Sequence, residues 1–178
     1  MNCLLTFGGS LLMATLAATA GSAQHPAMPA GMTHEEHLAQ MQKEADMKRR
    51  GAAAMGFDQD ATTHHFVLTS TGGYIQVQVN NPADGANRDR IRTHLRAIAD
   101  EFASGDFSKP LMTHAENPPG VEAMKRSKAA IRFAFEESET GGRVTITTAD
   151  MTALTAVHDF LRYQIKEHAT GDRLDVQR

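Results

Sequence analysis

Alternating apolar and polar residues predict a β-hairpin between residues 64 and 80. The run from 74 to 80 places Ile75, Val77 and Val79 on one side of a strand and polar residues on the other. A second β-rich run, from 64 to 69, precedes it across a turn that contains Gly72 and Gly73. Because the connection is this short, the two strands should pair antiparallel.

A helix with one apolar face follows the hairpin, and the same order then returns. The first helix should end near Gly105, and its face is formed by Ile91, His94, Leu95, Ile98 and Phe102. Further along, residues 131–135 and 144–146 alternate around a second Gly-Gly turn. The helix after them has a face formed by Leu154, Val157, His158, Leu161 and Ile165. We therefore predict an α+β domain, residues 61–178, in which two β-β-α repeats form a four-stranded, mainly antiparallel sheet with two helices on one face.

The segment from 105 to 128, between the two repeats, lacks this periodicity. It contains the prolines Pro110, Pro118 and Pro119, and it carries Met112 and His114. We predict that residues 109–120 form a rigid irregular loop of the kind that often carries functional residues on a folded scaffold.

Residues 24–60 form a separate Met/His-rich arm with one predicted helix. Thr33 and Glu36 have the spacing of a capping box, and Gly51 is a plausible stop, so the helix should run from about 34 to 50. At 100° per residue, His34, His37 and Met41 fall on one side of it.

The first 23 residues carry no charged side chain and consist of an apolar run followed by small residues. This pattern predicts an export signal rather than a membrane anchor. The only cysteine, Cys3, lies within it, so the exported protein should have neither a thiol nor a disulfide. We expect a periplasmic or secreted protein with no stable membrane insertion.

Composition restricts the function further. The chain of 178 residues has a net charge of −3, which gives no attractive field for nucleic acid. The chain contains ten methionines and nine histidines but one cysteine. Thioether sulfur prefers Cu(I), and imidazole binds Cu(I) or Cu(II), so this surplus suits copper in an oxidising compartment.

Two candidate copper sites follow from the sequence. In the arm, His34, His37 and Met41 could bind one ion, although Leu38, Met41 and Ala45 also fit an apolar stripe with solvated histidines beside it. In the domain, the candidates are His64 or His65, which point to opposite faces of their strand, together with His94, Met112, His114 and His158. A neutral histidine held by a backbone carbonyl is the structural alternative for His94 and His158. His168 is attributed instead to the negative end of the last helix.

Several short segments resemble a group of small exported bacterial proteins of unestablished activity. They are Met55-Gly56-Phe57-Asp58-Gln59, Thr62-Thr63-His64-His65-Phe66, Gly105-Asp106-Phe107, Pro118-Pro119-Gly120 and His158-Asp159-Phe160-Leu161-Arg162. The resemblance covers most of the exported chain and implies an association with copper handling. Some members carry the label aspartate carbamoyltransferase, but the S-T-R-T-R loop of that enzyme is absent here and the chain is too short for its two domains.

The leading hypothesis is an exported protein that sequesters or delivers copper, with another exported metal-handling protein as a possible partner. Haem ligation is a variant of this hypothesis, without a C-x-x-C-H attachment motif. The first alternative is a binding module for a small ligand or a protein. The second is a hydrolase or lyase with a histidine base, although the sequence contains no catalytic motif of a known class.

Overall fold

The computed structural model describes residues 31–177, so the predicted export signal lies outside the described residues. The elements of the described chain are α1 (His34–Met55), β1 (Thr62–Thr69), β2 (Gly72–Val79), α2 (Gly85–Ser104), α3 (Ser108–His114), α4 (Val121–Arg126), a 3-10 turn (Lys128–Ala130), β3 (Ile131–Ser138), β4 (Gly141–Thr148) and α5 (Met151–Glu167). Within residues 31–177 no helix is both long enough and apolar enough to span a membrane.

The strands form one antiparallel sheet in the order β1-β2-β4-β3. The central strands β2 and β4 pair from Gly72 opposite Thr147 to Gln78 opposite Gly141, and β1 and β3 form the two edges. Each hairpin is followed by a long helix, α2 or α5. The α+β class and the four-stranded antiparallel sheet are therefore confirmed.

The core lies between one face of the sheet and the two long helices. Helix α2 packs on β2, β3 and β4, while α5 packs on β1, β2 and β4. Alternate residues such as Val77, Val144 and Ile146 are fully buried there, as the alternation predicted. Removing each such side chain from water contributes about 1.5–3 kcal/mol to folding.

The segment between α2 and β3 is not the irregular loop that its prolines suggested. It contains α3 and α4, and Pro110 fits within the first turn of α3 because the N–H groups there have no helical partner. Gly120 begins α4 with a φ of 84°, and a Cβ at this position would lie 2.1 Å from the carbonyl oxygen of Ala156. Close contact between α4 and α5 therefore depends on this glycine.

Helix α1 starts where the sequence predicted but ends later. The Thr33–Glu36 capping box is present. Gly51 does not stop the helix, which continues to Met55 and is capped by Gly56 at a φ of 75°. Gly51 is instead the buried residue of this helix, and a Cβ at this position would lie 3.2 Å from Nε2 of Gln59.

Polar contacts also join α1 to the rest of the protein. Arg50 Nε donates to the carbonyl oxygen of Thr113 at 3.0 Å, and Lys43 forms an ion pair with Glu167 at 2.9 Å. The helix therefore covers α3 and the end of α5.

Candidate functional site

A cavity of about 70 Å³ lies beneath α1, between α3 and the core face of the sheet. By this measure a single water needs about 10–15 Å³, so there is room for several waters or for an ion with small ligands. The residues that line the cavity are Ala54, Met55, His64, Phe66, Ile75, Val77, His94, Leu95, Ile98, Phe102, Lys109, Pro110, Thr113, His114, Phe160, Gln164 and His168. Within the described chain the lining therefore contains neither a carboxylate nor a thiol.

The four histidines of the lining come from four different parts of the fold. His64 points inward from β1, because it pairs with Val77 on the core side of the sheet. His94 lies at the edge of the apolar face of α2, His114 is the last residue of α3, and His168 follows directly after α5. Tertiary folding, rather than a local sequence motif, creates this group.

The histidine rings contact one another directly. His64 stacks on His168 with ring centroids 5.8 Å apart and an angle of 14° between the planes. His114 meets His168 edge-on at 5.1 Å. His94 lies on the far side of Phe57, whose ring is 5.5 Å from His94 and 5.7 Å from His64.

The tautomer of His114 follows from the orientation of the Gln164 amide. Nε2 of His114 lies 3.0 Å from Oε1 of Gln164, and in this orientation the amide oxygen accepts, so Nε2 carries the hydrogen. Nδ1 of His114 then holds a free lone pair, and this buried atom has no hydrogen-bond partner within the described protein. Nε2 of Gln164 is also buried without a partner. Unpartnered buried polar atoms cost about 1–3 kcal/mol each, so these two call for a ligand, water or ion.

The imidazoles of the cavity are neutral at physiological pH. Burial lowers the pKa of His64 to about 4, with a smaller effect from His65. Burial lowers the pKa of His94 to about 4, with smaller effects from Lys109 and His64, and that of His168 to about 3, with smaller effects from His64 and His114. Burial also lowers the pKa of His114, partly opposed by its hydrogen bond to Gln164.

Two further side chains give the cavity its chemical character. Met55, the last residue of α1, contributes a thioether. Lys109 contributes an ammonium group that pairs with Glu101. Both the soft sulfur and the cation lie beside neutral nitrogen donors.

Of the histidines that the sequence proposed for the domain, the structure brings together His64, His94 and His114. His168, which was attributed from the sequence to the negative end of the last helix, also lines the cavity: it follows directly after α5, and its ring stacks on His64 and meets His114 edge-on. A signal was present in the sequence: with Leu161 and Ile165, His168 continues the spacing of the apolar face of α5. Met55 also lines the cavity, although the sequence did not single it out as part of the site in the domain.

The other proposed residues of the domain lie away from the cavity. His65 is on the opposite face of the sheet, where Nδ1 lies 2.9 Å from Oδ1 of Asp172. His158 is buried, and its Nε2 lies 3.0 Å from the carbonyl oxygens of Thr69 and Gly72, which matches the structural alternative. Met112 has 59% of its surface exposed and does not line the cavity.

In the arm, His34, His37 and Met41 all lie on α1. His34 is exposed, and the other two are partly exposed. Among residues 31–177, no three His, Cys, Asp or Glu side chains already converge in a metal-binding geometry. An ion in the cavity would therefore require histidine rings to rotate toward it.

No family model, curated protein or solved structure matches the chain at significant similarity.

Proposed function

We propose that the protein binds a copper ion in the histidine cavity and functions to sequester or deliver it. The observation that carries this proposal is the bare Nδ1 of His114, a buried lone pair whose tautomer is fixed by Gln164. Metal-binding histidines characteristically donate their other N–H to such a partner, which orients the ring and makes the bound nitrogen more basic.

The donor set favours copper over other common ions. The cavity offers imidazole nitrogens and the thioether of Met55, without the carboxylate oxygens that Ca²⁺ and Mg²⁺ require. Imidazole alone would serve zinc as well as copper, but thioether sulfur is a soft ligand that selects Cu(I). The size of the cavity also suits an ion rather than the haem considered from the sequence, since sites for larger ligands occupy about 300–1,000 Å³.

The protonation state supports the same conclusion. An imidazole must be neutral before it can bind a metal ion. The low pKa values of His64, His94 and His168 mean that no proton has to leave them at neutral pH. Rotation of the His64 and His168 rings, which contact each other and, through His168, the ring of His114, would direct their nitrogens toward the same ion as Nδ1 of His114.

The arm offers a route to the cavity. His34, His37 and Met41 are accessible on α1, and the same helix ends at Met55 in the cavity wall. Met41 and Met55 are 14 residues apart, about 21 Å along the helix. In this proposal the arm captures the ion, the cavity holds it, and another exported metal-handling protein supplies or receives it.

Copper titration of purified protein, in competition with a chromophoric chelator, tests the proposal in both oxidation states. We expect one tight site for Cu(I) that is lost in the double variant His114→Ala/His168→Ala. The His34→Ala/His37→Ala variant should keep that site and lose only weaker binding. His65→Ala is the matched control, since it removes an imidazole from the other face of the sheet. Equal copper affinity in wild type and the cavity double variant would refute the proposal.

A binding module for a small organic ligand is the second candidate. It is favoured by one observation, the unpartnered Nε2 of Gln164 in a cavity that Lys109 also lines. A small ligand with an acceptor oxygen would satisfy this amide donor. Mass spectrometry of the protein purified without a histidine tag distinguishes the two candidates, because it detects either a bound metal or a bound organic molecule.

A further inference from the structure

The two edges of the sheet differ. The outer edge of β1 is covered by the C-terminal segment, where Phe66 N–H donates to Oδ2 of Asp172 at 3.0 Å and Gln177 N–H donates to the carbonyl oxygen of Leu68 at 2.8 Å. On the outer edge of β3, no segment of residues 31–177 pairs with the strand. An uncovered edge of eight residues is a template for pairing with another strand.

The hydrogen bonds of the central strands identify the free groups of β3. Thr148 N–H donates to Thr71 and Val79 N–H to Thr140, so even-numbered residues of β4 bond toward β2. Odd-numbered residues of β4 then bond to β3, where they lie opposite even-numbered residues. The residues of β3 whose N–H and C=O groups point outward are therefore the odd-numbered ones: Ile131, Phe133, Phe135 and Glu137.

This edge is complementary to itself in one register. In this register a second copy of β3 runs antiparallel to the first, with Ala134 opposite Ala134 of the other copy. The residues whose backbone groups point outward then lie opposite one another, Phe133 opposite Phe135 and Ile131 opposite Glu137. The same register places Arg132 opposite Glu136 of the second copy, both on the open face of the sheet. Both side chains are exposed. Within the described chain the ion pairs between α2 and β3 are formed by Glu137, and not by Glu136.

Neighbouring registers lack this match. Centring the pair on Phe133 would place Arg132 opposite Ala134, and centring it on Phe135 would place Arg132 opposite Ser138. A further shift in either direction places Arg132 or Glu136 opposite itself, with like charges in contact. The positions of Arg132 and Glu136 along β3 therefore favour the register centred on Ala134.

We infer that the protein forms a twofold dimer by antiparallel pairing of β3 with β3 of a second copy, which joins the two sheets into one of eight strands. The interface is isologous, so each Arg132–Glu136 pair occurs twice. The residues that line the cavity beneath α1 do not belong to β3. The dimer therefore does not depend on the proposed copper site. Exposed charge pairs contribute little to affinity, so the dimer should be reversible and dependent on concentration.

Analytical ultracentrifugation of purified protein in the presence of a metal chelator tests the inference over a range of concentrations. Arg132→Glu and Glu136→Arg should each raise the Kd of the dimer about tenfold or more, because two attractive pairs become repulsive. The double variant Arg132→Glu/Glu136→Arg restores the opposite charges and should recover dimerisation. Arg90→Glu, at an exposed position on α2, is the matched control for the change in net charge of Arg132→Glu.

Hydrogen exchange provides a second readout that needs no variant. The amides of Phe133 and Phe135 should exchange slowly at high protein concentration and quickly on dilution. A protein that stays monomeric at every concentration overturns the inference. So does a dimer in which either single charge reversal has no effect, or one that the double variant fails to restore.

Discussion

Nε2 of His114 donates to Oε1 of Gln164 at 3.0 Å, and this one contact determines which nitrogen of the histidine is available to a ligand. Gln164 is 4% exposed and His114 6%, so water has little access to the pair. The second nitrogen of His114 consequently faces the protein interior with a free lone pair. The proposal of a copper site starts from this relationship.

Gln164→Leu should weaken copper binding without removing a direct ligand. The substitution deletes the acceptor that fixes the tautomer of His114, and the loss of such supporting contacts typically lowers metal affinity about 10–100-fold. Chelator competition measures the change. Gln164→Glu keeps an acceptor oxygen in place and should retain the site, so an equal loss in both variants would contradict the role assigned to Gln164.

His158→Ala should affect stability and leave copper binding unchanged. Nε2 of His158 donates to the carbonyl oxygens of Thr69 and Gly72, and both would lose a buried partner. We expect the free energy of unfolding in urea to fall by about 2 kcal/mol. His168→Ala is the informative comparison, because it should reduce copper affinity. If His158→Ala abolished copper binding in a folded protein, the division between structural and ligand histidines would be wrong.

The metal-free protein should lose stability as the pH falls below about 6.5. His64, His94 and His168 have pKa values near 4, 4 and 3 in the folded state and an ordinary value of 6.5 when unfolded. Between these values the unfolded state binds more protons, so the free energy of unfolding decreases with falling pH. A difference of one pKa unit corresponds to about 1.4 kcal/mol for each group.

Urea denaturation at a series of pH values measures this dependence. The slope between pH 6.5 and 4 should be smaller in His64→Gln and in His168→Gln, each of which removes one of the titrating groups. A stability that is constant over this interval would contradict the burial of neutral histidines.

Gly120→Ala should destabilise the fold. The new Cβ would meet the carbonyl oxygen of Ala156 at 2.1 Å, and the φ of 84° is unfavourable for alanine. We expect a loss of about 2–4 kcal/mol in the free energy of unfolding. Gly31→Ala is the control, because Gly31 also has a positive φ but no atom within 4 Å of the new methyl group. Equal effects of the two substitutions would show that backbone strain, and not contact between α4 and α5, determines the loss.

The strands and the two long helices could be predicted because each shows a period in the sequence. Ile75, Val77 and Val79 alternate, and the buried residues of α2 recur at helical spacing. Helices α3 and α4 were missed because seven and six residues are too few to establish an amphipathic period. Gly51 was misinterpreted because its role depends on tight packing of α1, which local sequence does not reveal.

The candidate site was only partly predictable for the same reason. The opposite orientations of His64 and His65 follow from the two-residue period of a strand, and the structure shows them. Whether His168 and Met55 line the cavity depends on where the ends of α5 and α1 lie in the folded protein. Those positions result from packing between elements distant in sequence, so no local pattern identifies the two residues as neighbours.

The copper content of protein purified without a histidine tag, after copper loading and removal of loosely bound ions, is the most direct test of the central claim. We expect about one copper per chain in wild type and in His65→Ala. We expect that copper to be lost in folded His114→Ala/His168→Ala. A wild-type protein that holds no copper after loading, or a cavity variant that holds as much as wild type, would contradict it.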